Sequence, residues 1–165
     1  MDISVSGDGL LRWNGESRSC VLGRSGIQSA KREGDGATPT GSFLLRRVFY
    51  RPDRLEAPIT ALPLTAIDPS MGWCDDPSHG DYNRPVTLPH PASCETLWRD
   101  DHVYDVVVVL GHNDDPPVPG LGSAIFLHLT RETRQPTEGC VALDQADLLD
   151  LLRHCQPGDT LTVQG

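Results

Sequence analysis

Two neighbouring segments carry most of the information about this fold: Ser123-Ala124-Ile125-Phe126-Leu127-His128-Leu129 and Pro136-Thr137-Glu138-Gly139-Cys140-Val141-Ala142-Leu143. The first segment is apolar up to His128 and predicts a buried strand, and the second returns to an apolar strand at Cys140. Residues 130–138 between them are polar and turn-like. We therefore expect His128 and Cys140 to lie at the same edge of one sheet.

A histidine and a cysteine at one sheet edge are suited to covalent catalysis. The thiolate is the reactive form of cysteine, and a free thiol is mostly protonated at neutral pH, so a nearby imidazole must accept its proton. Gly139 lacks a Cβ, so it allows a tight turn and lets a carbonyl approach the backbone N–H groups of Gly139 and Cys140. We predict Cys140 as nucleophile, His128 as base and Gly139 as part of an oxyanion site. Taken singly, each residue is more often structural.

Outward from these segments, the chain reads as a series of short strands. The clearest lies at 103–111, because Val106-Val107-Val108-Val109-Leu110 is unbroken and β-branched, which suits burial on both faces. Further strands are predicted at 3–6, 10–13, 19–22, 42–50 and 160–163, joined in part by Gly- and Asn-containing turns. The fold class is therefore mainly β.

One helix is predicted after Cys140. Asp144 can cap its N-terminus, Asp147 favours its positive end, and Pro157-Gly158 ends it. Its apolar stripe comprises Leu148, Leu151, Leu152 and Cys155. Cys155 is therefore predicted as a core residue.

The segment 51–102 is rich in Pro and Asp and predicts a long irregular lid or substrate wall, with one strand at 64–67. Connections of that length in a compact domain are usually functional. Its candidate substrate-binding residues are Trp73, Tyr82, Asn83 and Arg84. Two further candidates, His112 and Asn113, follow the Val-rich strand. Alternatively, Trp73 and Tyr82 anchor the lid to the core, and Asn113 forms a turn.

Composition limits the classes of function. A chain of 165 residues is predicted to form a single domain, 1–165, and its net charge of −9 argues against nucleic acid or an anionic membrane as partner. No apolar run is long enough for a membrane span, and no signal peptide is visible at the start of the chain. We expect a monomer.

A metal centre is the competing interpretation of the polar clusters. The five cysteines include no CxxC pair and define no disulfide framework. The candidate ligands are Cys74, Asp75, Asp76 and His79, with His112, Asp114 and Asp115 as a second group. Neither group has zinc-type spacing, and clustered Asp residues are usually solvated turns. The sequence therefore predicts no metal and no cofactor.

The sequence resembles the catalytic domain of the YkuD-type L,D-transpeptidases, cysteine enzymes that cross-link peptidoglycan. The resemblance rests on His128, a loop and Thr137-Glu138-Gly139-Cys140-Val141, preceded by a Thr-Pro-x-Gly-x-Phe element at Thr38-Pro39-Thr40-Gly41-Ser42-Phe43. It extends from about Lys31 to Val163.

Three positions depart from the family pattern. Glu138 stands where the family usually has His, Leu129 where Gly is common, and Ala142 where Arg is frequent. A divergent branch is indicated by three further segments, 31–36, 72–76 and 82–86.

The resemblance implies a β-sandwich of mixed sheets with one helix after Cys140. It also implies a transferase of the periplasm or cell wall, acting on peptidoglycan stem peptides in cell-wall biogenesis and cell shape. Cys140 would attack the carbonyl of meso-diaminopimelate at position 3 of a tetrapeptide stem, release D-Ala and form a thioester. Thr137 and Glu138 would orient the loop or the acceptor, and a backbone carbonyl just after His128 would set its tautomer.

The sequence is compatible with several acceptors and activities. The acceptor is the side-chain amine of a second diaminopimelate, giving a 3-3 bridge, or the amine of L-Ala at position 1, giving a 1-3 bridge. Water as acceptor would make an L,D-carboxypeptidase, and a fold without turnover would make a peptidoglycan-binding module. An ordinary cysteine protease ranks last, because no Asn or Asp partner stands at a recognisable spacing.

Overall fold

The computed structural model describes residues 1–165, which form fourteen strands and one helix. The elements are β1 Asp2–Ser6, β2 Leu10–Trp13, β3 Glu16–Val21, β4 Ile27–Gln28, β5 Thr38–Pro39, β6 Gly41–Tyr50, β7 Leu64–Ala66, β8 Met71–Cys74, β9 Pro85–Thr87, β10 Cys94–Thr96, β11 Val106–Leu110, β12 Phe126–Leu129, β13 Val141–Leu143, α1 Gln145–His154 and β14 Thr160–Gln164. The predicted mainly β class with one helix after Cys140 is confirmed.

The main sheet has nine strands in the order β11-β12-β13-β3-β2-β1-β14-β6-β7, and a further pairing of β11 with β6 closes it on itself. The long strand β6 pairs with β14 through its first residues and with β11 through its last ones. Three pairs, β12 with β13, β1 with β14 and β6 with β7, are parallel, and the other pairs in this sheet are antiparallel. The result is the predicted sandwich of mixed sheets, with β3 and β6 shared between its two halves.

The larger core cluster lies inside this sandwich and beneath the helix. Leu148, Leu151 and Leu152 are fully buried in it together with Cys155, so the predicted helical stripe is confirmed. Asp144 is the N-cap residue but makes no capping hydrogen bond with its side chain. Its carboxylate accepts hydrogen bonds from Thr130 and Arg134 instead, so the predicted capping bond is wrong.

Strand β11 separates two core clusters. Val106 and Val108 belong to the larger cluster, whereas Val107 and Val109 belong to a second cluster on the other face of the strand. This two-sided burial agrees with the unbroken apolar run. Cys140 belongs to the second cluster, which lies between the sheet and the segment 51–102.

The segment 51–102 is more regular than its composition predicts. It contains β7 and a separate three-stranded sheet in the order β10-β8-β9. These strands have three or four residues each, which is too short for an alternating pattern to stand out between Pro- and Asp-containing turns. The small sheet covers Phe126 through an edge-to-face contact of Trp73 at a ring-centroid distance of 5.1 Å. No helix in the structure is long and apolar enough to span a membrane.

Candidate active site

His128 and Cys140 line the same cavity, which has a volume of about 500 Å³. His128 lies in β12, and Cys140 immediately precedes β13, which pairs in parallel with β12 through Leu127 and Val141. The expected shared edge is wrong, because in this register His128 is the partner of Ala142, two residues after Cys140. Alternation along the two strands instead places both side chains on the same face of the sheet. The structure therefore brings together the two residues that the sequence predicts as base and nucleophile.

The Cys140 thiol is held by backbone groups rather than by the imidazole. Sγ–H donates to the Ala124 carbonyl at 3.2 Å, and the Phe126 N–H donates to Sγ at 3.3 Å. Burial raises the pKa of Cys140 to about 12, so the thiol is neutral in the free protein. The residue is 8% exposed, and that exposure opens on the cavity.

The His128 ring has a defined tautomer. Nδ1 lies 2.9 Å from the Leu129 carbonyl oxygen, which can only accept, so Nδ1 carries the proton and Nε2 keeps its lone pair. Burial lowers the pKa of His128 to about 4, so the imidazole is neutral at pH 7. The Tyr104 ring packs edge-to-face on it at 5.4 Å and fixes its plane. A neutral base with a free Nε2 is the form that accepts a thiol proton.

Thr137 organises the turn that carries the nucleophile. Its Oγ1 donates to the Cys140 carbonyl at 2.6 Å and accepts from the Gly139 N–H at 3.1 Å. The Gly139 N–H is therefore engaged within the turn, whereas the Cys140 N–H makes no hydrogen bond. Of the two predicted oxyanion donors, only that of Cys140 is free in the structure.

Gly139 is required by the close packing of this turn. Its φ is +139°, and a Cβ at this position would lie 2.7 Å from the Ala37 carbonyl oxygen. The neighbouring Gly23 is equally confined, because it donates its N–H to Thr38 Oγ1 at 2.9 Å and a Cβ on it would lie 3.1 Å from the Gly139 α-carbon. The Thr38–Phe43 element thus supports the nucleophile turn from behind, through Gly23.

The cavity carries charges of both signs close to the thiol. Its basic residues are Lys31, Arg99 and Arg131, and its acidic residues are Glu33, Asp75, Glu95 and Glu138. A pocket with both signs is suited to a zwitterionic peptide, because ammonium and carboxylate groups each find a partner.

Glu95 is a partly buried acidic residue of the cavity. Its Oε1 accepts a hydrogen bond from the Tyr104 hydroxyl at 2.9 Å, and it has no ion-pair partner in the protein. Burial raises the pKa of this carboxyl group. Lys31 in contrast is paired with Asp35 at 2.6 Å. A partly buried carboxylate without a cation favours binding of a positively charged group from the ligand.

A family model for the L,D-transpeptidase catalytic domain, YkuD, matches residues 4–163. The chain belongs to this family. A search of curated proteins finds no match.

Solved structures similar to this L,D-transpeptidase domain are distant in sequence. An L,D-transpeptidase from Mycobacterium smegmatis has 13% identity and a TM-score of 0.48, with 99% of this chain and 58% of that chain covered. L,D-transpeptidase 1 of Mycobacterium tuberculosis has 13% identity and a TM-score of 0.45, with 99% and 61% covered. The helical cell shape determining protein Pgp2 from Campylobacter jejuni has 14% identity and a TM-score of 0.41, with 99% and 46% covered. The chain thus spans about half to three-fifths of the length of these structures.

Two of the predicted substrate-binding residues of the L,D-transpeptidase domain line the cavity. They are Thr137 and Glu138. The Glu138 carboxylate is exposed at the rim and pairs with Arg24 at 3.0 Å. Thr137 and Glu138 therefore both contribute to the conformation of the nucleophile turn.

The lid aromatic residues lie outside the cavity. Trp73 is buried and donates its indole N–H to Asn83 Oδ1 at 2.9 Å. The buried Tyr82 donates its hydroxyl to Glu33 at 2.8 Å and accepts from the Gly122 N–H. These contacts correspond to the anchoring role that was the alternative for both aromatic residues.

The other predicted substrate-binding residues also lie outside the cavity. The Asn83 amide donates to the carbonyls of His112 and Asn113, and the Asn113 side chain bonds backbone groups of its own loop, at Val118 and Gly122. The His112 ring packs against Phe43. Arg84 lines a separate shallow depression.

Residues missed by sequence reasoning supply most of the cavity wall of the L,D-transpeptidase domain. Glu95, Arg99 and Tyr104 come from the end of the lid and the segment after it, and Lys31 comes from the loop before β5. No local motif marks them, because their position depends on how the lid folds back over β12.

The structure also regroups the predicted metal ligands. Asp75 and Asp76 bond the serines Ser93 and Ser78, and Asp114 pairs with Arg46. Neither predicted group is assembled. Cys74 instead meets two residues that the sequence did not single out, Cys94 and His90.

Proposed function

We propose that this domain is a peptidoglycan acyltransferase that works through a thioester on Cys140. The observation that carries the proposal is the meeting of Cys140 and His128 in one cavity, with the His128 tautomer set so that Nε2 can accept a proton. The donor substrate is a tetrapeptide stem, and the reacting bond joins meso-diaminopimelate at position 3 to D-Ala at position 4.

The reaction begins from a neutral thiol and a neutral imidazole. Substrate binding replaces the hydrogen bond from Sγ to the Ala124 carbonyl, and the thiol proton passes to His128 Nε2 as the sulfur attacks the carbonyl carbon. The carbonyl oxygen becomes an oxyanion that the free Cys140 N–H stabilises, and one such donor is worth ~3 kcal/mol of barrier. The C–N bond then breaks, and the imidazolium returns the proton to the D-Ala amine.

The second half of the reaction resolves the thioester. An acceptor amine attacks the thioester carbonyl, His128 takes a proton from the attacking nitrogen, and the thiolate leaves and is reprotonated. The partly buried Glu95 carboxylate binds an ammonium group of the stem peptides near the reacting centre. The side-chain amine of a second diaminopimelate gives a 3-3 bridge, and the amine of L-Ala gives a 1-3 bridge.

The proposed substrate sets the proposed location. Peptidoglycan stems are cross-linked outside the cytoplasmic membrane, so the domain would act in the periplasm or cell wall and contribute to cell-wall synthesis and cell shape.

The test is incubation of the protein with purified tetrapeptide muropeptides and analysis of the products by mass spectrometry. We expect cross-linked dimers and free D-Ala with the native chain, and neither with Cys140→Ala or His128→Ala. Cys155→Ala is the matched control, because it removes another buried thiol that lies outside the cavity. Fragmentation of the dimers separates 3-3 from 1-3 bridges. Tripeptide monomers alone would show carboxypeptidase activity instead of transfer. Products from Cys140→Ala would overturn the proposal.

Covalent labelling by a carbapenem separates an enzyme from a binding module. We expect one carbapenem adduct on the native chain and on Cys155→Ala in intact-mass spectra, and none on Cys140→Ala. Muropeptide binding without adduct and without products would show that the domain is a binding module.

A further inference from the structure

Three potential metal ligands meet on the lid, outside the cavity. Cys74 in β8 and Cys94 in β10 lie directly opposite each other in the antiparallel pairing of these strands. The backbone hydrogen bonds fall on the flanking pairs, such as Asp75 with Ser93, so the two cysteines form a non-hydrogen-bonded pair, in which side chains are closest. His90 Nδ1 lies 3.5 Å from Cys94 Sγ, and one ligand atom from each of the three residues lies within 4.8 Å of the others.

The His90 ring is oriented as a metal-binding imidazole requires. Nε2 lies 2.9 Å from the Asp81 carboxylate, which accepts, so Nε2 carries the proton and Nδ1 keeps a lone pair on the side of the thiols. The Ala92 N–H donates to Nδ1 at 3.1 Å, which independently identifies Nδ1 as the acceptor, and a metal ion would replace this hydrogen bond. A carboxylate behind the distal nitrogen is the usual outer partner of a metal-bound histidine, because it fixes the ring and raises its basicity.

We propose that Cys74, Cys94 and His90 form a binding site for one thiophilic metal ion of the Zn²⁺ type. Two thiolates and one neutral imidazole are the donors that Zn²⁺ prefers, and Cu⁺ shares this preference. Three protein ligands leave a fourth tetrahedral position for water. His79 stands beside the site, with its ring edge-to-face on that of His90 at 4.7 Å.

A disulfide between Cys74 and Cys94 is the competing state of the same pair. A disulfide would account for the two opposed cysteines but not for the approach of His90 Nδ1 to 3.5 Å from Cys94 Sγ, nor for the Asp81 carboxylate bound to its Nε2. The combination of four residues from β8, β10 and the turns that connect them to β9 therefore favours the metal ion.

The metal site would stabilise the cavity wall from the opposite face of the small sheet. Successive side chains of a strand point to opposite faces, so Trp73 and Glu95 lie on the face opposite to the two cysteines. Trp73 packs on Phe126, and Glu95 lines the cavity. A metal ion that ties β8 to β10 would position these residues without contacting substrate. This inference is independent of the proposed reaction.

The experiment measures metal in the full chain purified without an affinity tag that binds metal. After incubation with Zn²⁺ and gel filtration, elemental analysis should give about one zinc per chain, and Cys74→Ser or Cys94→Ser should lose it. Cys20→Ser is the matched control, because it removes a buried free thiol elsewhere. Copper retained by the purified chain in place of zinc, and lost in the same two variants, would support the same ligand set with Cu⁺.

A milder variant guards against misfolding of the cysteine variants. Asp81→Asn leaves all three ligands in place but weakens the support of His90, so we expect zinc affinity to fall about 10- to 100-fold in competition with a chromophoric chelator. The melting temperature of the native chain should rise with added Zn²⁺.

Three results would overturn the proposal. The first is that the folded native chain retains no metal. The second is that Cys74→Ser and Cys94→Ser retain as much metal as the native chain. The third is that the intact mass is lower by two hydrogens and two fewer thiols can be titrated. The last result would assign a disulfide to the pair.

Discussion

Replacement of Gly139 by Ala tests the packing that holds the nucleophile turn. The new Cβ would meet the Ala37 carbonyl oxygen at 2.7 Å, whereas ordinary contacts begin at 3.4 Å, so the turn or the 36–38 segment must move by about 0.7 Å. Such overpacking costs ~1–3 kcal/mol. A side chain at a φ of +139° adds ~1–3 kcal/mol of backbone strain. We expect a loss of ~2–6 kcal/mol in the free energy of unfolding.

Gly158→Ala is the matched control for this variant. Gly158 has a φ of +97°, but nothing lies within 4 Å of its prospective Cβ, so only the strain applies. The entropy change that Ala brings to the unfolded chain is common to both variants and cancels. Urea unfolding should therefore place Gly139→Ala below Gly158→Ala by ~1–3 kcal/mol.

The same pair of variants connects packing to chemistry. Displacement of the turn moves both the Cys140 sulfur and its free N–H, so the rate of carbapenem acylation should fall at least about tenfold in Gly139→Ala, equivalent to ~1.4 kcal/mol of barrier. Gly158→Ala should react at the native rate. Equal unfolding free energies for the two variants, together with native acylation by both, would show that the contact with Ala37 does not constrain the turn.

Three further predictions concern Thr137, His128 and Glu95. Thr137→Val should lose ~2–4 kcal/mol in urea unfolding, because the Gly139 N–H and the Cys140 carbonyl both lose their partner, whereas Thr137→Ser should keep most of that stability; equal losses would contradict the role of the hydroxyl. Because burial lowers the pKa of His128 to about 4, the free-enzyme acid limb of kcat/KM should fall through about pH 4, and a limb near pH 6.5 would contradict a buried neutral base. Glu95→Gln should lower kcat/KM for amine-bearing stems about 10- to 100-fold. Burial raises the pKa of Glu95 above its unfolded value, so ionisation of Glu95 destabilises the fold as the pH rises from the unfolded pKa through the folded one. The Gln variant should therefore be no less stable than the native chain at neutral pH. A drop in its stability would show that the charge is structural.

Much of the scaffold was predictable from local patterns. The run from Val106 to Leu110 indicates a strand buried on both faces, and the stripe ending at Cys155 indicates a helix packed on the core, because both patterns follow the period of one element. His128 and Cys140 were predictable for a related reason. Each lies in or next to an apolar strand, with a polar loop between them, and the two strands pair in parallel in a register that puts both side chains on one face.

The cluster of Cys74, Cys94 and His90 could not be predicted from local patterns. Adjacency in sequence groups Cys74 with Asp75, but alternation along β8 sends the Asp75 side chain to the cavity and the Cys74 side chain to the other face. The partners of Cys74 come from a strand and a turn further along the chain. Only the register of β8 with β10 identifies them.

The strands, the helix and the nucleophile turn were thus determined by local sequence, because each depends on periodicity and turn chemistry within a few positions. The surroundings of the site were decided by folding in three dimensions. Burial under the lid makes the thiol and the imidazole neutral, and it places Glu95 beside them. These effects depend on which distant segments exclude water from a side chain, and short-range sequence patterns do not identify those segments.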